Sequence, residues 1–480
     1  LGCHFAGAAN PHIDFTDKVS CLDGVKYRIC RQPPPVNLNL MDEFASFVKN
    51  WICKNLTPLP ADSDCSVGTW LSNTNYPKWR TEELSSLFIK TNGIVDVQDF
   101  KVKSFIKDET YNSYKYPRGI YSRTDAFKIR VGPIFKLIEK ELYKLHWFIK
   151  HVPVDQRCDV IRSDCYQYGS RIIGTDYTSY EATFIKQMMM ACEMQLYKYM
   201  TQYLPDQDWY NIVQKVLTGC NKCVFKLFTL YVHATRMSGE MCTSLGNGFT
   251  NLMVMLFASY KLNLRSLKGK VEGDDGIFTF YGDVPDGEWF TQLGLIIKIV
   301  EYDELSLGSF CGILCDKDDM INVTNPIDAL LDFGWTTGKY AGAKHKKLLQ
   351  LLRSKAMSMA YQYPGCPILD ALSKYGLRVT KGSTFTYPTG DPYKAQMFKI
   401  LFNKYGSAFP IKKIGLNTRL LVERLYGISI ETQQNFENYL NNKMDLSPID
   451  FGDLLSLVGK DQVDYYNKYS TDDRVDPLKL

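Results

Sequence analysis

Between Val271 and Phe278 the chain reads VEGDDGIF, and no other stretch narrows its possible folds so much. Two glycines bracket two aspartates, a glutamate precedes them, and strand-forming residues follow at once. The pattern predicts two short strands, Val271–Glu272 and Ile277–Tyr281, with Asp275-Gly276 as the turn-forming pair. Adjacent carboxylates repel, so a fold that gathers them has to compensate their charge. Glu272, ahead of the glycine, is expected to point away from the aspartates toward a basic group. Alone the stretch is weak evidence of function, because aspartates beside glycines are what ordinary surface turns are made of.

Its company changes those odds. Ile172–Asp176 (IIGTD) predicts a buried strand that ends in an acid. Glu181 follows five residues later, where a helix from Tyr180 to about Met200 begins. An unpaired carboxylate closing a buried strand costs several kcal/mol. If that strand lies beside the acidic hairpin, Asp176, Asp274 and Asp275 converge. Two such groups ~4 Å apart repel by about 4 kcal/mol at a moderate dielectric, which divalent cations remove. Hard carboxylate oxygens select Mg²⁺, with Mn²⁺ able to substitute, and a two-ion site activates an attacking oxygen and steadies a leaving pyrophosphate.

A second segment, SGEMCTSLGNGFTN (Ser238–Asn251), offers a flexible Ser238-Gly239 turn followed by a helix. Thr243, Asn247 and Asn251 recur every four residues and line one face of it. The plain reading is helix-to-strand hydrogen bonding. The sharper one has Asn247 and Glu181 holding a ribose 2′-hydroxyl, which selects ribonucleotides.

Charge is uneven. Residues 101–150 hold 12 Lys/Arg against 5 Asp/Glu, so this segment alone exceeds the whole chain's net charge of +5. Such an excess suits a surface that holds phosphates. It contains VKSFIKDE and YKYPRGIYSR, with arginines and lysines of the kind that clamp a triphosphate. A further basic run, KHKKLLQLLRSK (Lys344–Lys355), has helical spacing and an outward cationic face. A solvated helix face is the equally good plain reading.

At 480 residues the chain is too long for one core and predicts two to four subdomains. Its 14 cysteines lack a framework spacing, so no disulfide is needed and a reducing compartment is expected. The lone CNKC at Cys220–Cys223 is weak support for zinc. The apolar run Leu252–Ser259 is far shorter than the roughly 20 residues of a spanning helix. The start, LGCHFAGAAN, lacks a signal-peptide pattern, and the chain is expected to be a piece of a longer or processed product.

KDE…PRGIYSR, DYTSYE, SG-x₃-T-x₃-N, EGDDG, LGLIIKIVEYDEL and FCGIL stand in that order over about Lys101–Leu314. As a colinear set they resemble motifs F, A, B, C, D and E of viral RNA-dependent RNA polymerases, most closely the tombusvirus-like group of positive-strand RNA viruses. The resemblance implies an α+β right-hand polymerase closed by fingertips. Fingers would take 1–168, with motif F near 101–130. A palm with an antiparallel sheet would take 169–318, with a fingers insertion near 200–234, and a mostly helical thumb and tail 319–480.

It further implies Asp176, Asp274 and Asp275 as ligands of two Mg²⁺ ions, and Lys298 as general acid for the pyrophosphate. Glu181, Asn247 and Thr243 would select the 2′-hydroxyl, and Ser238-Gly239 would be a mobile loop steering template and nucleotide. Lys107, Lys115, Arg118 and Arg123 would hold the NTP triphosphate, and Lys344, Lys346, Lys347 and Arg353 the RNA backbone. The implied partners are RNA template and nascent duplex, NTPs and other viral replication proteins, at membrane-associated complexes in the host cytoplasm.

The chain departs from the pattern at three places. Tyr116 replaces a usual Lys two residues before Arg118, with Lys115 one earlier. Motif A's second acid is Glu181 rather than Asp. Lys298 does not follow Gly294 at a clear motif D spacing. Two rivals remain open: a reverse transcriptase-like polymerase, disfavoured by Glu181 with Asn247, and a non-catalytic palm-fold RNA binder, disfavoured by the three acids.

Overall fold

A computed structural model describes residues 2–94, 101–113, 115–336, 340, 342–387 and 392–469. Among the described residues ten strands run in chain order: β1 (Lys101–Ile106), β2 (Gly119–Arg123), β3 (Arg171–Tyr177), β4 (Cys220–Val224), β5 (Thr229–His233), β6 (Arg265–Glu272), β7 (Asp275–Tyr281), β8 (Ile297–Tyr302), β9 (Leu314–Asp316) and β10 (Ile321–Val323).

The central sheet has the order β6-β7-β3-β8 with every neighbour antiparallel. β3 lies inside it, and its apolar residues are buried on both faces. Ile173 packs with Phe278 and Phe280, on the side of the helix Thr243–Leu262, while Ile172 and Ile277 meet Ile161, Leu305 and Phe310 on the other. That helix is buried nearly all round, as its apolar second half demands, and ends on Asn263 in the left-handed conformation. The helix predicted from Tyr180 to Met200 is three pieces, Tyr180–Thr183, Lys186–Ala191 and Glu193–Met200. Residues Phe184 and Cys192 depart from helical dihedrals and break it.

A second sheet, β2-β1-β4-β5, mixes antiparallel pairs with a parallel β1–β4 pair. Its inner face packs Val102, Ile106, Tyr121 and Cys223 against Cys21, Val25 and Ile29 of the helix Lys18–Arg28. Cys220 is exposed and Cys223 buried on opposite faces of β4, so they do not converge on a zinc ion.

After β10 the described chain is helical, around a separate core that includes Leu352, Leu372, Tyr375 and Phe436. The N-terminal segment, irregular in sequence, belongs to this core through Cys3, Phe5 and Ala8. Phe5 bridges Ile449, and further along the same segment His12 bridges Thr110 in the loop between β1 and β2. The basic loop and the helical third also meet directly, Asn112 donating to Asp328 at 3.3 Å. Against the expectation of no disulfide, Cys158 and Cys315 are bonded, and the remaining cysteines are free. No described helix is long and apolar enough to cross a membrane.

Candidate active site

The acidic hairpin forms, but not at the predicted pair. Glu272 pairs with Asp275, so Gly273-Asp274 is the two-residue turn and Asp275-Gly276 begins β7. The positive φ falls on Gly273, at +61°, a conformation that only glycine adopts without strain. A glycine in the first central position is a favoured way to close so short a loop. The turn thus falls two residues earlier than predicted, and it lifts Asp274 to the exposed tip.

β3 brings the other acid alongside. Thr175 pairs with Gly276, so the next residue, Asp176, stands beside Asp275. On its other flank Asp176 is the direct partner of Lys298 on β8. Directly opposed residues share a sheet face, so Asp176, Asp275 and Lys298 rise together. Asp176 and Lys298 are both exposed. Burial, then the charges of Asp274 and Asp176, push the Asp275 carboxyl up to about 7, against a hydrogen bond from Cys311. Although its tip meets solvent, Asp274 is also raised, chiefly by desolvation, with Glu181 and Asp176 adding to it and Arg118 opposing. The four carboxylates and Arg118 therefore share one field.

Among the described residues no three His, Cys, Asp or Glu side chains already close around a metal position. The donor set nevertheless fits a hard divalent cation. Asp274 and Asp275, raised by burial and then by neighbouring carboxylate charge, are groups that a cation beside them would return to ionised form.

Asn251, the last of the polar stripe, holds the hairpin. It is fully buried, and its amide Nδ2 donates to the carbonyls of Gly273, Asp274 and Asp275 at 3.2, 3.2 and 3.1 Å. Its Oδ1 accepts from the Tyr177 hydroxyl at 3.1 Å. One side chain thus joins β3, the hairpin and the helix Thr243–Leu262. Glu272 turns to Lys150 at 3.4 Å, the basic partner its position predicted.

Glu181 is reached through a turn at Ser179, φ +51°, whose hydroxyl donates to the Tyr27 carbonyl at 3.0 Å. Its carboxylate lies 3.8 Å from Arg28, a residue of the N-terminal helix that sequence reasoning missed. Asn247 accepts on Oδ1 from Arg236 Nε at 3.0 Å. Arg236 is fully buried, pairs with Glu193 at 2.6 Å and Glu240 at 3.7 Å, and lies 4.3 Å over the Phe184 ring. Burial raises Glu240 despite the two arginines facing it. The signal for Arg236 was present: a lone charge in an otherwise uncharged run, two residues before Ser238.

Several predicted contacts resolve differently. Arg123 is 1% exposed and gives its guanidinium to Glu240 at 2.6 Å and to Asn221, so it is not presented to a triphosphate. The Thr243 hydroxyl is spent on the Met237 and Glu240 carbonyls, inside the loop rather than toward a ribose. Ser238-Gly239 is docked instead of free: Ser238 donates to the Gly119 carbonyl at 2.8 Å and Gly239 to that of Tyr121 at 3.0 Å. Arg353 reaches the Leu377 and Thr380 carbonyls, which end a neighbouring helix, and so leaves the outward face where Lys344 and Lys346 are exposed. Lys347 donates to Thr386 at 3.2 Å.

In the loop between β1 and β2, Lys107 and Arg118 converge on Glu109 at 3.0 and 3.8 Å. Arg118 stays more than half exposed, 54%. Lys115 is exposed and within electrostatic reach of Asp328. Tyr116 stacks on Tyr27 with ring centroids 4.0 Å apart, and its carbonyl accepts from Arg28. The departure at Tyr116 thus has a packing role.

By sequence, the site belongs to a chain that resembles enzymes of viral RNA synthesis. The RNA-directed RNA polymerase of Striped jack nervous necrosis virus is 25% identical over 210 residues, 42% of this chain and 21% of that protein. That of Oat chlorotic stunt virus (isolate United Kingdom) is 25% identical over 293 residues, 56% of this chain and 38% of that protein. The match to each relative therefore spans well under half of that protein. No family model matches the chain.

Proposed function

We propose that this chain is the catalytic core of an RNA-directed RNA polymerase that replicates a positive-strand RNA virus genome, with motifs closest to the tombusvirus-like group. The reaction is attack of a 3′-hydroxyl on the α-phosphate of an NTP. The new phosphodiester bond forms as the α–β bond breaks, the hydroxyl proton leaves, and pyrophosphate departs. The observation that carries this reading is the carboxylate ridge: Asp176 alongside Asp275, with Asp274 at a tip that Asn251 holds by its backbone.

In this reading the four-stranded antiparallel sheet is the palm, within 169–318. The sheet that joins β1–β2 to β4–β5 supports fingers (1–168) with an insertion near 200–234. Residues 319–480 are the thumb and C-terminal tail, and the bridges from Phe5 to Ile449 and His12 to Thr110 support fingertip closure. Asp176, Asp274 and Asp275 would hold Mg²⁺, two ions with Mn²⁺ able to substitute, which supply an acidified attacking hydroxyl and charge for the leaving group.

Arg118 and Lys107 hold the triphosphate, which displaces them from Glu109. Glu181 and Asn247 receive the ribose 2′-hydroxyl. Lys298, across from Asp176, gives the pyrophosphate its proton. Template, nascent duplex, NTPs and other viral replication proteins are the partners, at membrane-associated complexes in the host cytoplasm. The test is template-primed synthesis by the purified chain with NTPs and Mg²⁺: complementary RNA should form, and Asp274→Ala should abolish it. Robust synthesis by that variant rejects the carboxylate assignment, and equal use of dNTPs favours the reverse transcriptase rival.

A further inference from the structure

The helix Lys18–Arg28 ends between the loop that carries Arg118 and the turn that carries Glu181. Its Gly24 packs so close to that loop that a Cβ there would lie 2.6 Å from the Pro117 carbonyl oxygen. Arg28, four residues on, shares the same helix face. It therefore arrives at the neighbouring carbonyl, donating from Nε to Tyr116 at 3.2 Å. The same guanidinium places Nη1 3.8 Å from Glu181 Oε1. One planar cation thus spans the loop and the carboxylate assigned to the ribose.

The joint is tied from several sides. Tyr27 stacks on Tyr116 at an interplanar angle of 17°, with the Arg31 guanidinium 5.3 Å from the Tyr27 centroid. The Tyr27 carbonyl takes the hydroxyl of Ser179, the positive-φ residue through which the chain turns toward Glu181. The Glu181 carbonyl accepts from the Arg236 amide at 3.0 Å, so its backbone is fixed independently of Arg28. What is left to aim is the carboxylate, and among the described residues Arg28 is its ion-pair partner. The two side chains are only 21% and 22% exposed, so water screens them less than a surface pair. At 3.8 Å the contact is an ion pair without a hydrogen bond, which leaves the carboxylate's lone pairs open to a hydroxyl.

We propose that Arg28 is a positioning residue for sugar selection. It holds the Glu181 carboxylate where a 2′-hydroxyl can donate to it, and through Tyr116 it fixes that aim relative to the loop bearing Arg118. The inference rests on the assignment of Glu181 to the ribose. A guanidinium serves two acceptors from one rigid plane, whereas an ammonium is a point charge on a flexible stem. Arg28→Lys therefore keeps the charge and loses part of the alignment.

The test measures the preference of the full chain for UTP over dUTP, by extension on an RNA template and by calorimetric binding in Mg²⁺. Arg28→Met should lower that preference about 10-fold, the worth of one charge-assisted hydrogen bond, through a higher KM for UTP with dUTP little changed. Arg28→Lys should recover part of it, and its ratio is readable even if Arg28→Met does not fold. In a Glu181→Ala background Arg28→Met should change the ratio no further, because Arg28 acts through that carboxylate. A role in folding alone would weaken UTP and dUTP alike. An unchanged ratio in both Arg28 variants, or an undiminished loss on top of Glu181→Ala, overturns the proposal, as does equal binding of UTP and dUTP by the wild-type chain. A wild-type chain that makes no RNA yet binds UTP with an Arg28-dependent preference rejects the polymerase reading alone.

Discussion

Asp275 carries the most direct prediction at the scale of single residues. Its carboxyl is raised from 3.8 to about 7, first by burial and then by its acidic neighbours, so the folded state holds this proton more tightly than the unfolded one. Stability from this group is therefore lost as pH rises from about 4 through about 7. In EDTA near pH 8, Asp275→Asn should raise Tm by a few degrees, on the order of 2 kcal/mol, and near pH 4 should change it little. Mg²⁺ should stabilise the wild-type chain more near pH 8 than near pH 5. A Tm gain equal at both pH values would show that the ion does not relieve this repulsion. Arg236 makes a different prediction. Arg236→Met leaves Glu193 and Glu240 buried without that partner, at a cost of about 3–5 kcal/mol measurable by denaturant unfolding. It also frees Asn247 Oδ1, so under the proposed function the folded variant should discriminate less between NTPs and dNTPs. Unchanged discrimination would mean that Arg236 serves folding alone.

Two contacts between elements decide whether the carboxylates stay aligned. The helix Thr243–Leu262 grips the hairpin through Asn251 alone among its polar stripe. Asn251→Leu would strand three turn carbonyls and the Tyr177 hydroxyl, at about 1–3 kcal/mol for each buried group left unpaired. Synthesis should fall far more than binding of RNA, which a paired extension and anisotropy assay would read. The docking of Ser238-Gly239 on β2 is equally tight. A Cβ on Gly239 would come within 2.6 Å of the Tyr121 carbonyl oxygen, a backbone atom that cannot swing aside. Gly239→Ala should lift the loop from β2 and destabilise the fold by about 1–3 kcal/mol. An alanine variant as stable and active as wild type would show that the loop undocks at little cost.

For the molecule as a whole, the unexpected tie is the N-terminal segment. Phe5 is fully buried in the core of the helical third, and His12 reaches the basic loop. Phe5→Ala should therefore destabilise the C-terminal helices by about 3–5 kcal/mol, seen as faster proteolysis after residue 320. Cleavage unchanged there would place the segment's contribution elsewhere. Such a tie was not legible beforehand, because a segment without periodicity shows nothing of what it will pack against. The local elements were legible: β3, the acidic hairpin and the helix after Gly239 follow from apolar runs, glycine placement and four-residue spacing. So was the likeness carried by Asp176, Asp274 and the other motifs in order. Sequence reasoning misplaced the turn by one pair, since both Gly273 and Gly276 satisfy the same local rule and only the register Glu272↔Asp275 chooses between them. It assigned Arg123, Thr243 and Arg353 to ligands because charge and hydroxyl type are visible in a sequence, whereas burial beside Glu240, or beside a helix end, is not. Short-range chemistry thus determined which residues are able to act. Long-range packing decided which of them face the cleft, because a side chain's partners are set by strands and helices distant in sequence.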